Sequence, residues 1–126
     1  MKITFTDICL VTKDVPRLRA FYETVFGGTS GGDEFHAGLS VGGTGFTFAH
    51  VDTLRENTPF RFVTADAAQN IIMSFDVEDV DAEHQRLLQL GVHMLNAPIT
   101  HPWGTRSFQF MDPDGNILNF RSVENS

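Results

Sequence analysis

The sequence predicts an α+β domain made of two copies of one βαβββ unit. The stretch Ile8-Cys9-Leu10-Val11-Thr12-Lys13-Asp14-Val15 is answered, about half the chain later, by Met73-Ser74-Phe75-Asp76-Val77-Glu78-Asp79-Val80. In each copy an alternating strand runs into an aspartate suited to cap a helix. Glycine then closes the helix, Gly27-Gly28 in the first copy and Gly91 in the second. A unit of this length that recurs points to two similar half-domains, and ligand sites often form where such halves face each other.

In the first copy, Ile3 to Thr12 is rich in β-branched residues and reads as a strand. Asp14 is an N-cap, and Pro16 is tolerated in the first helical turn because its missing N–H would go unpaired there anyway. Val15, Leu18, Tyr22, Val25 and Phe26 fall on one helical face, with Phe21 beside them. The Gly31-Gly32 stretch reads as loop. Glu34 to Val41 and Gly45 to His50 read as strands joined by a Gly42-Gly43-Thr44-Gly45 turn. From Val51 to Asn70 no periodicity is sustained around the apolar cluster Phe60, Phe62 and Val63, so residues 51–70 are expected to link the halves.

In the second copy, Ile71 to Val77 is a strand and Asp79 caps a helix whose one face carries Val80, His84, Leu87 and Leu88. Asp81 and Glu83 favour the positive N-terminal end of that helix. Strands follow near Met94 to Thr100, Thr105 to Met111 and Asn116 to Val123. The last two are joined by Asp112-Pro113-Asp114-Gly115, where each residue type favours a tight turn. The expected organisation is one domain over 1–126, with module one over about 1–50 and module two over 71–122.

Composition narrows the function. A net charge of −7 argues against a nucleic-acid partner, which requires a basic face. The single cysteine, Cys9, rules out an internal disulfide and fits a reducing, cytoplasmic setting. Met1 leads straight into strand-like residues with no long apolar run, so neither a leader nor a membrane span is expected. Twelve Phe against one Tyr and one Trp is core filling for the most part.

The repeated module, with Phe21-Tyr22 late in its first helix and Asp112-Pro113-Asp114-Gly115-Asn116 before its last strand, resembles the vicinal oxygen chelate superfamily. That group includes glyoxalase I, extradiol dioxygenases and the bleomycin-resistance proteins. The resemblance runs from about Phe5 to Ser122. It implies that each module curls its mixed sheet into half a barrel, with helices outside and a cleft between the halves. It also implies four positions where metal-using members hold a metal. Counting back seven residues from each capping Asp gives Asp7 and Ile72, and the last strands give Asn119 and Phe48, with Ala49 and His50 within the register error. A divalent transition metal requires three or four converging nitrogen or anionic oxygen donors. Ile72 and Phe48 donate nothing and Asn119 is a weak neutral ligand, so no metal or other cofactor is expected.

Strand alternation then assigns faces. With Asp7 turned to the cleft, Cys9 and Val11 follow it, as do Ile72, Ser74 and Asp76 in the second copy. Ser107, Gln109, Met111, Ile117, Asn119 and Arg121 share that side, while Phe108, Phe110, Leu118 and Phe120 face the helix layer. Trp103, in His101-Pro102-Trp103-Gly104, offers a stacking face and an N–H donor, as in a similar segment of resistance-type members. The candidate ligand-binding residues are Asp7, Cys9, His50, Phe60, Asp76, Trp103, Gln109, Asn119 and Arg121. No residue is assigned a catalytic role. The expected function is binding of a small aromatic or cationic organic molecule in a cleft without the usual metal ligands. One alternative is a metal-dependent lyase, isomerase or dioxygenase using Asp7 and His50. Another is a metal-free enzyme using Asp7 or Asp76 as base. The resemblance also implies a homodimer.

Overall fold

The computed structural model describes residues 1–67 and 69–123. The chain divides into two compact units, Met1–Asp66 and Ala67–Ser126.

The first unit runs β1 (Asp7–Thr12), α1 (Val15–Phe26), β2 (Gly31–Gly32), β3 (His36–Val41), β4 (Thr44–His50) and α2 (Val51–Asn57). Its sheet has the order β1-β4-β3-β2, with β1 and β4 parallel and the other neighbours antiparallel. Asp14 caps α1 by accepting the Arg17 N–H at 3.1 Å. At the other end Gly27 takes the left-handed conformation (φ +79°) and donates its N–H to the Glu23 carbonyl at 2.8 Å. The buried face of α1 is Val15, Leu18, Tyr22 and Val25. It packs on β4, where the Tyr22 ring lies 4.8 Å from Phe46 and 5.3 Å from Phe48.

Three expectations for this unit change. The strand anticipated from Ile3 begins at Asp7, because its ladder with β4 begins at the Asp7–Gly45 pair. Ile3 and Phe5 stand 79% and 67% exposed, and β-branched residues do not make a strand without a neighbour for their backbone groups. The Gly31-Gly32 stretch, expected as loop, is a two-residue strand paired to Ala37 and Gly38. The stretch expected to be irregular holds α2, which at seven residues is too short to display a helical period.

The second unit runs β5 (Ile72–Asp76), α3 (Val80–Gln89), β6 (His93–Met94), β7 (Ile99–Thr100), β8 (Thr105–Met111) and β9 (Ile117–Val123). Its sheet has the order β5-β9-β8-β6, with β7 also on β8, and β5 is parallel to β9. Asp79 repeats the part of Asp14, accepting the Ala82 N–H at 3.0 Å. Val80 and Leu87 are buried, and His84 meets the Phe108 ring edge-on at 5.1 Å, whereas Leu88 is left 46% exposed at the margin of that face. Beneath α3, Phe110 and Phe108 meet Phe120 edge-on at 4.9 and 5.8 Å. The Arg106 guanidinium bonds both Asp81 oxygens, at 2.8 and 3.0 Å, and holds that carboxyl below its ordinary pKa. The strand anticipated over 94–100 is split into β6 and β7 around Ala97-Pro98, since proline has no N–H to give a ladder.

The two mixed sheets and their helices make an α+β fold, and among the described residues neither sheet closes on itself. The faces follow the expected parity. Leu10, Phe46, Phe48, Met73, Phe108, Phe110, Leu118 and Phe120 are buried toward the helices, and Cys9, Ile72, Ser74, Asp76 and Arg121 are exposed on the opposite side. Among the described residues no helix is long and apolar enough to cross a membrane.

Candidate functional site

The hairpin β8–β9 assembles a pocket on the side of its sheet away from α3. Register sets it up: Gln109 pairs with Asn119 and Ser107 with Arg121, so these four side chains rise together. His101, Trp103 and Thr105 complete the lining of a cavity of about 240 Å³.

The floor is a linked set of neutral groups. Gln109 Nε2 donates to Asn119 Oδ1 at 2.7 Å and to Ser107 Oγ at 3.3 Å. Asn119 Nδ2 donates onward to Ser74 Oγ on β5 at 3.1 Å. On the other flank the Asn96 amide donates to Gln109 Oε1, and Asn96 Oδ1 accepts the Gln109 backbone N–H at 2.8 Å. A hydrogen bond of 2.8 Å joins His101 Nε2 and Ser107 Oγ. Such a chain holds each amide in one orientation and presents a prearranged surface.

The wall is aromatic. The His101 and Trp103 rings lie parallel, 4.5 Å apart, and Trp103 is still 74% exposed, so most of the indole stays open to a partner. At the rim, Arg121 Nε donates to Asp76 Oδ1 at 2.8 Å, an ion pair between two exposed side chains.

Of the expected candidates, Trp103, Gln109, Asn119 and Arg121 come together here, with Asp76 bound to Arg121. The rest belong to the first unit. Asp7, at the start of β1, accepts from Thr47 Oγ1 at 2.9 Å and from Thr6 Oγ1 at 2.8 Å. Cys9 is an exposed free thiol. His50 is the N-cap of α2, its Nδ1 accepting the Asp52 N–H at 3.2 Å. Phe60 lies half-exposed after α2, edge-on to Phe62 at 5.9 Å.

The pairing also moves one position in the expected set. Asp7 faces Gly45 as Ile72 faces Ile117, so the first-unit counterpart of Asn119 is Thr47, not Phe48. Phe48 points into the helix layer and is fully buried, which follows from its parity on β4. Residues absent from the candidates but present in the site are His101, Thr105, Ser107, Ser74 and Asn96. Alternation assigns Ser74 and Ser107 to this face, and His101 is two residues from Trp103. Asn96 sits between two short strands, where no period marks it.

The sequence profile of the Glyoxalase/Bleomycin resistance protein/Dioxygenase superfamily matches residues 4–120. The fold is similar to that of a glyoxalase/bleomycin resistance protein/dioxygenase from Nocardioides, with a TM-score of 0.85 at 23% identity, covering 100% of this chain and 87% of that one. It is also similar to a family enzyme from Burkholderia phytofirmans, with a TM-score of 0.81 at 20% identity over 94% and 97% of the two chains. A virulence protein from Salmonella typhimurium gives a TM-score of 0.73 at 18% identity over 98% of each. None of the curated proteins compared with the chain matches it.

Proposed function

The chain belongs to the glyoxalase/bleomycin resistance protein/dioxygenase superfamily, and on that premise we propose that it binds a small aromatic molecule in the β8–β9 pocket without a metal ion. The carrying observation is the convergence, in one cavity of about 240 Å³, of an open indole face with a tied set of neutral hydrogen-bonding groups. Its size is below the roughly 300–1,000 Å³ of sites that bury drug-sized ligands, which favours a molecule of one or two rings. Trp103 supplies stacking area, and Asn119, held in place by its bonds to Gln109 and Ser74, supplies direction through its second Nδ2 proton.

The donor chemistry supports a metal-free reading. Of the positions where relatives could hold a metal, Ile72 is hydrocarbon, Thr47 is a neutral hydroxyl that donates to Asp7, and Asn119 Oδ1 already accepts from Gln109, which leaves Asp7 as the one anionic donor. His50 uses Nδ1 to cap a helix. Among the described residues, no group of three or more His, Cys, Asp or Glu side chains is placed to hold a metal ion. These residues do not fit a divalent transition metal, which needs several anionic or imidazole donors at about 2 Å. Metal-assisted lyase, isomerase or dioxygenase chemistry therefore has less support than binding.

The only tryptophan stands in the pocket, so its emission reports directly on occupancy. Titration with a panel of one- and two-ring aromatic compounds is expected to quench Trp103, with saturation that Asn119→Leu weakens. A panel that leaves the emission unchanged would sink the proposal. Elemental analysis of protein purified without chelators is expected to give well under one equivalent of Zn, Ni, Mn or Fe. One equivalent that disappears in Asp7→Ala would establish the metal-dependent reading instead. The proposal extends to a homodimer in a reducing compartment; a mass of 14.0 kDa by light scattering would remove the dimer.

A further inference from the structure

Building on the reading of the β8–β9 cavity as an aromatic site, we propose that it selects planar aromatic anions, carboxylates or phenolates, through Arg121. The unspent hydrogen-bonding capacity of the lining is the first reason. Asn119 Oδ1 and Gln109 Oε1 are already taken by amide donors, and both Gln109 Nε2 protons are engaged. What remains is mostly donor: the second Nδ2 proton of Asn119, the indole N–H of Trp103 and the Nη groups of Arg121. A site whose free groups are donors is complemented by a ligand rich in acceptors.

Charge points the same way. The ionisable groups of the lining are His101 and Arg121, and none of its residues is a carboxylate. Asp76 faces Arg121 across the β5–β9 ladder but takes the Nε proton. Among the described residues, no acceptor is bound to the Nη groups. A guanidinium fixed through Nε keeps its Nη groups in a set plane, the geometry a carboxylate binds well. Asp76 is itself exposed, so water and salt weaken its field, and it orients Arg121 more than it cancels it. A ring stacked on Trp103 with its anionic group toward Arg121 uses both ends of the cavity.

The test is a Trp103 fluorescence titration at low ionic strength with three compounds of one shape: 2-naphthoate, 2-naphthamide and 2-naphthylmethylammonium. The full chain is compared with Arg121→Gln and Asp76→Asn, each first checked for native circular dichroism. Naphthoate is expected to bind about tenfold more tightly than naphthamide, the scale of one charged hydrogen bond. Arg121→Gln should bring naphthoate down to the amide's affinity. Asp76→Asn keeps an oxygen to accept the Nε proton and removes only the opposing charge, so it should tighten naphthoate, an effect of the opposite sign to simple structural damage. Equal affinities for naphthoate and naphthamide would leave the aromatic site standing and overturn the anion selectivity. Tightest binding of the ammonium compound, or weaker naphthoate binding in Asp76→Asn, would also overturn it. If none of the three quenches Trp103, the pocket reading fails and this inference fails with it.

Discussion

Asp112→Ala is expected to loosen the hairpin that carries Ser107, Gln109, Asn119 and Arg121, and to cost about 2–4 kcal/mol of stability. Asp112 is 4% exposed, and its carboxylate accepts hydrogen bonds at the turn between β8 and β9. Its Oδ1 takes the Asp114 and Asn116 backbone N–H groups, both at 2.9 Å, and its Oδ2 takes Asn116 Nδ2 at 2.8 Å. Bonds to an ionised acceptor are worth about 1.5–3 kcal/mol each, but the freed N–H groups lie in a half-buried turn and recover water. The backbone bonds Asp112 N–H to Asn116 O and Gly115 N–H to Asp112 O, each 3.0 Å, survive the change and limit the loss. Gly115 (φ +91°) already supplies the left-handed residue that the turn requires. Asp112→Asn keeps an oxygen for both backbone donors, and Asn116 can rotate its amide to meet the new NH₂, so about 1 kcal/mol is expected there. Urea unfolding followed by circular dichroism measures both. Asp112→Ala within 0.5 kcal/mol of the parent, or Asp112→Asn as damaging as Asp112→Ala, would refute the assignment of the carboxylate as the clasp of the turn.

The repeated caps predict that Asp14→Ala and Asp79→Ala each cost about 1 kcal/mol and that the double variant loses the sum, since the two caps share no partners. A double variant no less stable than either single one by urea unfolding would contradict this. Leu87→Ala should cost about 2–5 kcal/mol, because the side chain is fully buried, and exposed Leu88→Ala under about 0.5 kcal/mol. Similar midpoints for the two would mean that α3 is rotated. Asp33 accepts the backbone N–H groups of Phe35 and His36, and these bonds hold its carboxyl below the ordinary value of 3.8. A lowered folded value means that the stabilisation is present above 3.8 and is lost as pH falls through the folded pKa. Asp33→Asn should therefore differ from the parent at neutral pH and converge with it in strong acid; a gap independent of pH would exclude the carboxylate as its source.

The parts of the fold that announce themselves in the sequence are those where one residue does a local job. Asp14 and Asp79 cap because a short carboxylate before an apolar period has an N–H within reach, whatever the rest of the chain does. Alternation is equally legible: Leu10 buried beside exposed Cys9 follows from the pleat. Strand ends are not local, since Ile3 and Phe5 have strand-like character and lack a ladder partner. The site divides along the same line. Gln109, Asn119 and Arg121 could be named because parity assigns their face, whereas Asn96 joins them through a loop conformation that no pattern encodes. His50 shows the same limit. A histidine at a strand end has the donor chemistry of a ligand, and only the following helix shows that its Nδ1 is spent on a cap.

Superposing the two ladders in register separates what the duplicated unit must keep from what it is free to change. Toward the helices, Ile8, Leu10, Phe46 and Phe48 correspond to Met73, Phe75, Leu118 and Phe120: every pair is apolar, because both helices need the same kind of surface to bury against. On the opposite face the correspondence is Cys9 with Ser74, Thr47 with Asn119 and Gly38 with Gln109. There the first copy carries small groups and the second carries interlocked amides. Nothing in sheet formation requires that difference, since glycine and threonine make the first ladder as glutamine and asparagine make the second. A cluster of amides that sheet formation does not require, each held in place by its neighbours, supports the proposed binding role. The helix-facing side is apolar in both copies, and the amides that line the proposed pocket stand on the opposite face of the second copy.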